Sequence, residues 1–423
     1  MIILRFNHLP LHIKYNCQTY HRNGFLLFLS NIINLNKYKM GNVFKFSKFL
    51  LINLFCNLLV IVANGQKIKE FIANKKEQLL EEFEDSSGKS NYIIYPTLAY
   101  TPETRTEIGL VNLYLFYANK NNKNRLSEIN TFTFYTAEKQ YGVLLDHAIY
   151  GDGDKWFFLG RGKFQYFPMK YYGIGMNTPK EGYDIVNNTN IQLRERVLRK
   201  INGNFFVGAE FDFQKMYNVE FLGANKVDYD YPTGYKGSSN IGLGMGLVFD
   251  NRKNVLNVRK GLFAELAVLN YSKSLGSTNT FFSTQFDFRY FREGFNPKDV
   301  LALQGSALFN KGDVPFNQMA MIGGESMMRG YYLGRFRDKN FLTSQAEYRF
   351  LPFGFSKRLG AAAFISTATV APSAKSLFSS SFKMAGGVGA RYLIFKSKDI
   401  FVRFDLGFTR EGNGYYFYIG EAF

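Results

Sequence analysis

The 423-residue sequence predicts an all-β fold, a transmembrane antiparallel β-barrel of about sixteen strands. Three observations carry that expectation. Segments of about ten residues alternate between an apolar or aromatic face and a polar face, from residue 91 to the end of the chain. Aromatic residues make up 17% of the chain, with 45 Phe and 28 Tyr against a single Trp, which suits a lipid-facing wall with interfacial girdles. The one strongly apolar stretch lies near the N-terminus, so a helical membrane protein is disfavoured. Apolar and aromatic content is too high for a disordered chain. Two cysteines exclude a disulfide scaffold.

In chain order, residues 1–39 are rich in Asn, Ile and Lys and show no periodicity; they read as an over-extended start or a leader extension. Residues 40–65 read as a signal peptide. Met40 is followed by the basic Lys45 and Lys48, an apolar run of about fourteen residues from Phe49 to Val62, and a small-residue cleavage site at Ala63-Asn64-Gly65. Both cysteines, Cys17 and Cys56, lie in this discarded part, as do His8, His12 and His21. The formal net charge of +18 first favours a nucleic-acid partner. The leader holds seven Lys and Arg and no acidic residue, so its removal lowers the charge to +11. The remaining charges alternate along strands and form no basic run, so no nucleic-acid partner is expected. Residues 66–90 place Ile68, Phe71, Ile72, Leu79, Leu80 and Phe83 at roughly helical spacing, a short periplasmic amphipathic segment.

From 91 to 423 the chain reads as strand after strand. In Phe205–Gln214 the odd positions are Phe, Val, Ala, Phe and Phe, while Glu210, Asp212 and Gln214 share the other face. Phe282–Arg289, Leu342–Phe350 and Val402–Thr409 repeat the pattern, placing Asp287 and Arg289, then Gln345, Glu347 and Arg349, then Arg403 and Asp405 on the polar face. A soluble sandwich also alternates. Recurrence of long strands along the whole chain favours a closed barrel, because an open edge in lipid would leave backbone groups unpaired. Sixteen strand candidates run from 91–100 to 413–423. The longest loop falls at about 312–339. The closing GYYFYIGEAF, with Phe417, Ile419, Gly420 and Phe423, reads as a C-terminal barrel signal.

That loop contains MIGGESMMRGYYLGRFRDKN and is followed by FLTSQAEYRF. Gly323-Gly324, Arg329-Gly330-Tyr331, Arg337-Asp338, and then Gln345, Glu347, Tyr348 and Arg349 resemble the signature of the BamA/TamA surface-antigen family of outer-membrane barrels. YPTLAYTPETRTEIGL, YYGIGMNTP and the closing strand are similar in style. The resemblance implies that this external loop folds back into the lumen and that its Arg meets acidic residues of the inner wall. On this sequence the loop motif is Arg329, Gly330, Tyr331, Arg337 and Asp338, and the inner-wall residues are Glu347, Arg349 and Ser366. A guanidinium in a lumen is best met by a carboxylate, so Arg329 is expected to pair with Glu347. Members commonly carry an Asp two residues after the position of Phe364. Here it is Ser366, which can accept a hydrogen bond but cannot neutralise Arg329, and the lock is expected to be weaker or to rest on Glu347 alone. About 25 residues separate the leader from the first strand, too few for a folded repeat. A short member without POTRA repeats is therefore expected.

The resemblance implies a Gram-negative outer-membrane location and a role in protein or lipid insertion, assembly or translocation. The partners would be outer-membrane lipids and nascent outer-membrane proteins or a separate periplasmic protein. A passive porin-like channel is the alternative that the mixed-charge inner face also fits. An outer-membrane hydrolase needs a nucleophile and a base in register. His147, alone beyond the leader, adjoins Asp146 with no obvious serine partner, and reads as a strand histidine. No catalytic residue, metal site or cofactor is assigned: one histidine cannot build a multi-His site, and GDGDKW at 151–156 lacks the spaced carboxylates of a calcium loop.

Overall fold

A computed structural model describes residues 90–223, 231–252, 257–395 and 399–423. The predicted leader, its upstream extension and all but the last residue of the 66–90 segment lie outside the described residues. Nineteen strands occur among the described residues. They are β1 (Asn91–Thr101), β2 (Arg105–Tyr117), β3 (Leu126–Thr136), β4 (Tyr141–Tyr150), β5 (Trp156–Tyr166), β6 (Met169–Tyr171), β7 (Asp184–Asn202), β8 (Phe205–Phe221), β9 (Ser238–Asp250) and β10 (Gly261–Tyr271). They continue as β11 (Phe281–Glu293), β12 (Val300–Gly312), β13 (Ala320–Ile322), β14 (Phe336–Asp338), β15 (Asn340–Phe350), β16 (Leu359–Ala371), β17 (Lys383–Phe395), β18 (Ile400–Thr409) and β19 (Gly412–Ile419).

Each long strand pairs antiparallel with the next, and β1 returns to pair with β19, so the sheet closes into a sixteen-strand barrel. β6 extends the β5 side of the ladder along β7. β13 and β14 pair with each other inside the long loop between β12 and β15, and Arg337 of β14 bridges to Gly175. These three-residue strands are absent from the sequence reading, because three residues hold no measurable periodicity. The last strand is also shorter than expected. Its ladder stops at Ile419, and Phe423 packs on Phe291 and Arg349 of the inner wall.

Alternation sets the two faces. On β7, Leu193, Val197 and Ile201 are exposed outward, while Arg196 is buried inward. On β11, Phe282, Phe286 and Tyr290 point out, and Asp287 and Arg289 pair inside at 2.5 Å. Exposed aromatics mark both rims of the outer wall: Tyr135 and Tyr141 at one, Tyr92, Trp156 and Phe205 at the other. The connections at the end opposite Asn91 include the long ones, 167–183, 222–237, 313–339 and 372–382. Barrels of this type place long loops outside and short turns in the periplasm. The strand ends at Asn91 and Ile419 are therefore periplasmic.

Inside, polar side chains find partners across strands. Arg196 donates from Nε to Glu210 and from Nη1 to Glu265, each at 2.7 Å. Tyr271 donates to Asp212 at 2.5 Å, which also accepts from Gln192 and Gln214. Buried polar groups need such partners, because leaving one unpaired is costly.

Candidate functional site: the loop latch in the lumen

The loop at 313–339 begins as a narrow ribbon. β13 and β14 pair Ala320 with Asp338, Met321 with Arg337 and Ile322 with Phe336. Gly334 N–H then donates to Ile322 O, and Gly324 N–H to Tyr331 O. Gly323 and Gly324 have φ of 120° and 103°, values that side-chain-bearing residues rarely adopt. A Cβ on Gly323 would lie 2.1 Å from Tyr332 O. The glycine pair is therefore required for the ribbon to close. Its apolar side packs Ile322, Met328, Tyr331 and Phe336 against Met176, Ala368, Val370 and Ala385. This cluster joins the ribbon to the inner wall of β16 and β17.

The tip carries Arg329, which is 0% exposed. Its Nη2 donates to Glu347 Oε2 on β15, and its Nη1 to Asp405 Oδ2 on β18 at 2.6 Å. Its guanidinium carbon sits 3.5 Å from the centre of the Phe364 ring. Glu347 also accepts from Arg349 at 2.6 Å, and Asp405 accepts from Arg391 at 2.6 Å and Arg403 at 2.7 Å. Arg391 reaches Glu421 at 3.0 Å. Four guanidiniums and three carboxylates thus share one buried lattice. Charge-assisted bonds of this kind tolerate burial only as a network.

The second carboxylate is not at position 366. Ser366 turns to the carbonyl of Ala385 at 3.4 Å and makes no bond to Arg329. The expectation that the arginine rests on Glu347 alone is corrected by Asp405. The alternation already put Asp405 on the inner face. Its partner could not be read from the sequence, because β15 and β18 are three strands apart and meet Arg329 only through curvature.

Gly330 follows with φ of 112°. A Cβ there would lie 2.7 Å from the Thr409 side chain and 3.1 Å from Gly407, so the tip passes closely over β18. Its N–H donates to Tyr416 Oη of β19 at 2.8 Å. Leu333 N–H donates to Glu103 Oε1 at 2.6 Å, in the turn between β1 and β2. Burial pushes the Glu103 carboxyl up to about 7, outweighing the Leu333 N–H bond that pulls it down, and the nearby Glu325 charge adds to the rise. Arg335 closes the top, bonding Glu411 at 2.6 Å and the Thr178 hydroxyl at 2.8 Å.

Arg337 is fully buried but stands apart from the carboxylate lattice. It donates to Phe316 O at 3.4 Å and lies over the Tyr171 ring at 4.9 Å. Burial lowers its pKa to about 10. Its carbonyl accepts from Gly175 N–H at 2.7 Å, tying the 167–183 loop to the ribbon. Asp338 caps Lys339 N–H. Arg349 donates from Nη2 to Phe423 O at 3.0 Å. Phe417 and Ile419 point outward on β19, and Gly420 follows the last ladder position with φ of 95°.

The seam between the first and last strands is thin. β1 and β19 share the single register pair Tyr100–Phe417, whereas β18 and β19 zip continuously from Val402–Ile419 to Thr409–Gly412.

His147 lies away from this site, on the outward face. Its Nε2 is 2.9 Å from Glu195 Oε2, across Gly160. A Cβ on Gly160 would lie 2.2 Å from His147 and 2.3 Å from Glu195. Asp146 faces inward and accepts from Arg161. No group of three or more His, Cys, Asp or Glu able to hold a metal occurs among the described residues.

The Omp85 superfamily domain matches residues 153–423. No curated protein matches the chain in sequence. Among solved structures, BamA from Haemophilus ducreyi lacking POTRA domains 1-3 aligns with a TM-score of 0.52 at 12% identity, over 78% of this chain and 70% of that one. CdiB from Acinetobacter baumannii aligns with a TM-score of 0.52 at 11% identity, over 78% of this chain and 59% of that one. CdiB from Escherichia coli aligns with a TM-score of 0.51 at 10% identity, over 82% and 70%. At these identities the three structures share the fold. With the domain match over most of the barrel, the chain belongs to the Omp85 superfamily and is a β-barrel protein of the Gram-negative outer membrane.

Proposed function

We propose that this barrel inserts, assembles or translocates protein, or lipid, at the outer membrane, working through a seam that parts between β1 and β19. The observation that carries the reading is the single register pair at that seam. Every missing ladder bond lowers the work of parting two strands. Two further features support it. The 313–339 loop is latched in the lumen, so the interior is partly filled, unlike a passive pore. The latch draws on strands from both sides of the seam. The residues assigned to the latch are Arg329, Gly330 and Tyr331 with Glu347, Arg349 and Asp405. Clients are nascent outer-membrane proteins or material handed over by a separate periplasmic partner.

The test is a reversible staple. Tyr100→Cys with Phe417→Cys places two thiols at the one paired position. Oxidation is expected to stop outer-membrane protein or lipid delivery in cells that depend on this barrel, with recovery on reduction. Unchanged delivery with the seam closed, together with a large and constant conductance in planar bilayers, would instead assign a passive channel.

A further inference from the structure

We propose that the β11–β12 and β15–β16 turns form a seat for an anionic phospholipid of the periplasmic leaflet. Phe295 in the first turn is 94% exposed and Phe355 in the second is 84% exposed. Among the described residues of the other periplasmic turns no phenylalanine is exposed. An isolated exposed apolar side chain is ordinary, but two neighbouring ones in ordered turns mark a surface.

The two rings are ends of one ladder. Ring centres step from Phe295 to Tyr348 at 5.6 Å, to Phe350 at 4.7 Å, to Phe353 at 6.1 Å and to Phe355 at 5.0 Å. Tyr348 and Phe350 belong to the outward stripe of β15, which faces lipid. The ladder therefore carries the lipid-facing wall past the end of the strand, to headgroup level. The turns hold the rings out. Tyr348 Oη accepts from Phe295 N–H at 2.7 Å and donates to Asp299 at 3.0 Å. In the second turn, Phe353 N–H donates to Leu359 O, and Ser356 Oγ accepts from the N–H groups of Arg358 and Leu359.

The charge around the ladder fixes the class of ligand. Arg292, Lys298, Lys357 and Arg358 are exposed on these two turns and the adjoining strand ends, with Glu293 as the one exposed acid. Arg358 also donates to Leu393 O at 3.1 Å, which anchors its stem beside Tyr392. Aromatic rings at the interface beside lysine and arginine match a phospholipid, acyl chains against the rings and phosphate against the cations. A periplasmic protein could also cover exposed phenylalanines. Continuity with the lipid-facing stripe favours lipid.

The barrel is reconstituted in nanodiscs of phosphatidylglycerol and phosphatidylethanolamine in equal parts, released in the gas phase, and its retained lipids are counted by native mass spectrometry. Heat-modifiable electrophoretic mobility verifies folding of each variant. Wild type is expected to keep phosphatidylglycerol in at least fivefold preference. Lys298→Glu with Lys357→Glu is expected to abolish the preference, and Phe295→Ser with Phe355→Ser to lower retention of both lipids. The same charge reversal at Lys120 and Lys155, on other periplasmic turns, is expected to change nothing. No preference in wild type, retention unaltered by the site variants, or equal loss in the control pair would overturn the assignment. Loss of a co-purifying periplasmic protein with lipid retention unaltered would assign the surface to a protein and overturn it as well.

Discussion

Removing Asp405 is expected to damage the latch more than removing Arg329 itself. Arg329→Ala deletes two charge-assisted bonds and the contact with Phe364, yet it orphans no charge. Glu347 keeps Arg349, and Asp405 keeps Arg391 and Arg403. The loss is then that of two charge-assisted bonds, about 3 kcal/mol. Asp405→Asn acts differently. Arg329 retains Glu347 and Arg391 retains Glu421, but Arg403 loses the one carboxylate it touches, keeping the neutral Glu325 O at 3.2 Å and the Tyr418 ring. Four guanidiniums then face two carboxylates in a buried site. Asp405 loses three charge-assisted bonds at once and leaves a buried charge unpaired, which costs about 5 kcal/mol. The difference exceeds 1.4 kcal/mol, hence more than tenfold in the folding equilibrium. Urea unfolding of the barrel in phosphatidylcholine vesicles, followed by loss of the fast-migrating folded band, gives both values. Equal effects, or an Asp405→Asn cost below about 1 kcal/mol, would refute the network account.

Three other outcomes follow from the same geometry. Gly407→Ala sets a Cβ 2.4 Å from Arg329 O, so the tip is expected to lift with every charge intact; protease cleavage within 325–333 and bilayer conductance should both rise. Gly160→Ala is expected to push the movable ends of His147 and Glu195 apart and, through loss of their bond, destabilise the barrel by about 1 kcal/mol, measured by the same urea unfolding. For Glu103 the folded-state pKa, about 7, lies above the ordinary carboxylate value. The folded state therefore holds the proton more tightly, so the stability this buried group contributes is greatest at low pH and falls as pH rises from about 4.5 to about 7, although the Leu333 bond itself favours the ionised carboxyl. Urea unfolding of the barrel should show greater stability at pH 5 than at pH 8, and Glu103→Gln should flatten the part of the difference that this carboxyl carries.

The barrel was legible in the sequence because its information is local. A period of two assigns every residue of a strand to a face, and the faces of Phe205–Gln214, Leu342–Phe350 and Val402–Thr409 need no long-range knowledge. The loop tip was legible through a motif. What remained hidden depends on closure. Asp405 sits on the expected face, but its meeting with Arg329 requires knowing that β18 curves toward β15. Glu103 looks like an ordinary turn residue until Leu333 is brought over it. β6, β13 and β14 are too short to leave a period. The strand reading also runs past Ile419, because GYYFYIGEAF stays aromatic while its last residues turn onto the inner wall.

The loop, read with the seam, holds together what the strands leave loose. Its tip is fastened to Tyr416 of β19 and to Asp405 of β18, on one side of the β1–β19 contact. Four residues later its backbone is fastened to Glu103, in the turn that leaves β1 on the other side. The loop therefore spans the seam inside the barrel and supplies bonds that the Tyr100–Phe417 ladder lacks. Parting β1 from β19 by more than a bond length must break either the Leu333–Glu103 bond or the tip attachments. These two attachments are unequal. The tip is held by a lattice of buried charges, whereas the β1 side rests on the one hydrogen bond from Leu333 N–H to Glu103. Opening of the seam is then expected to begin at Glu103, with the loop travelling with β18 and β19. A disulfide placed between the 332–334 segment and the β1–β2 turn should block opening as effectively as one across the seam itself, and one between the tip and β18 should leave it free.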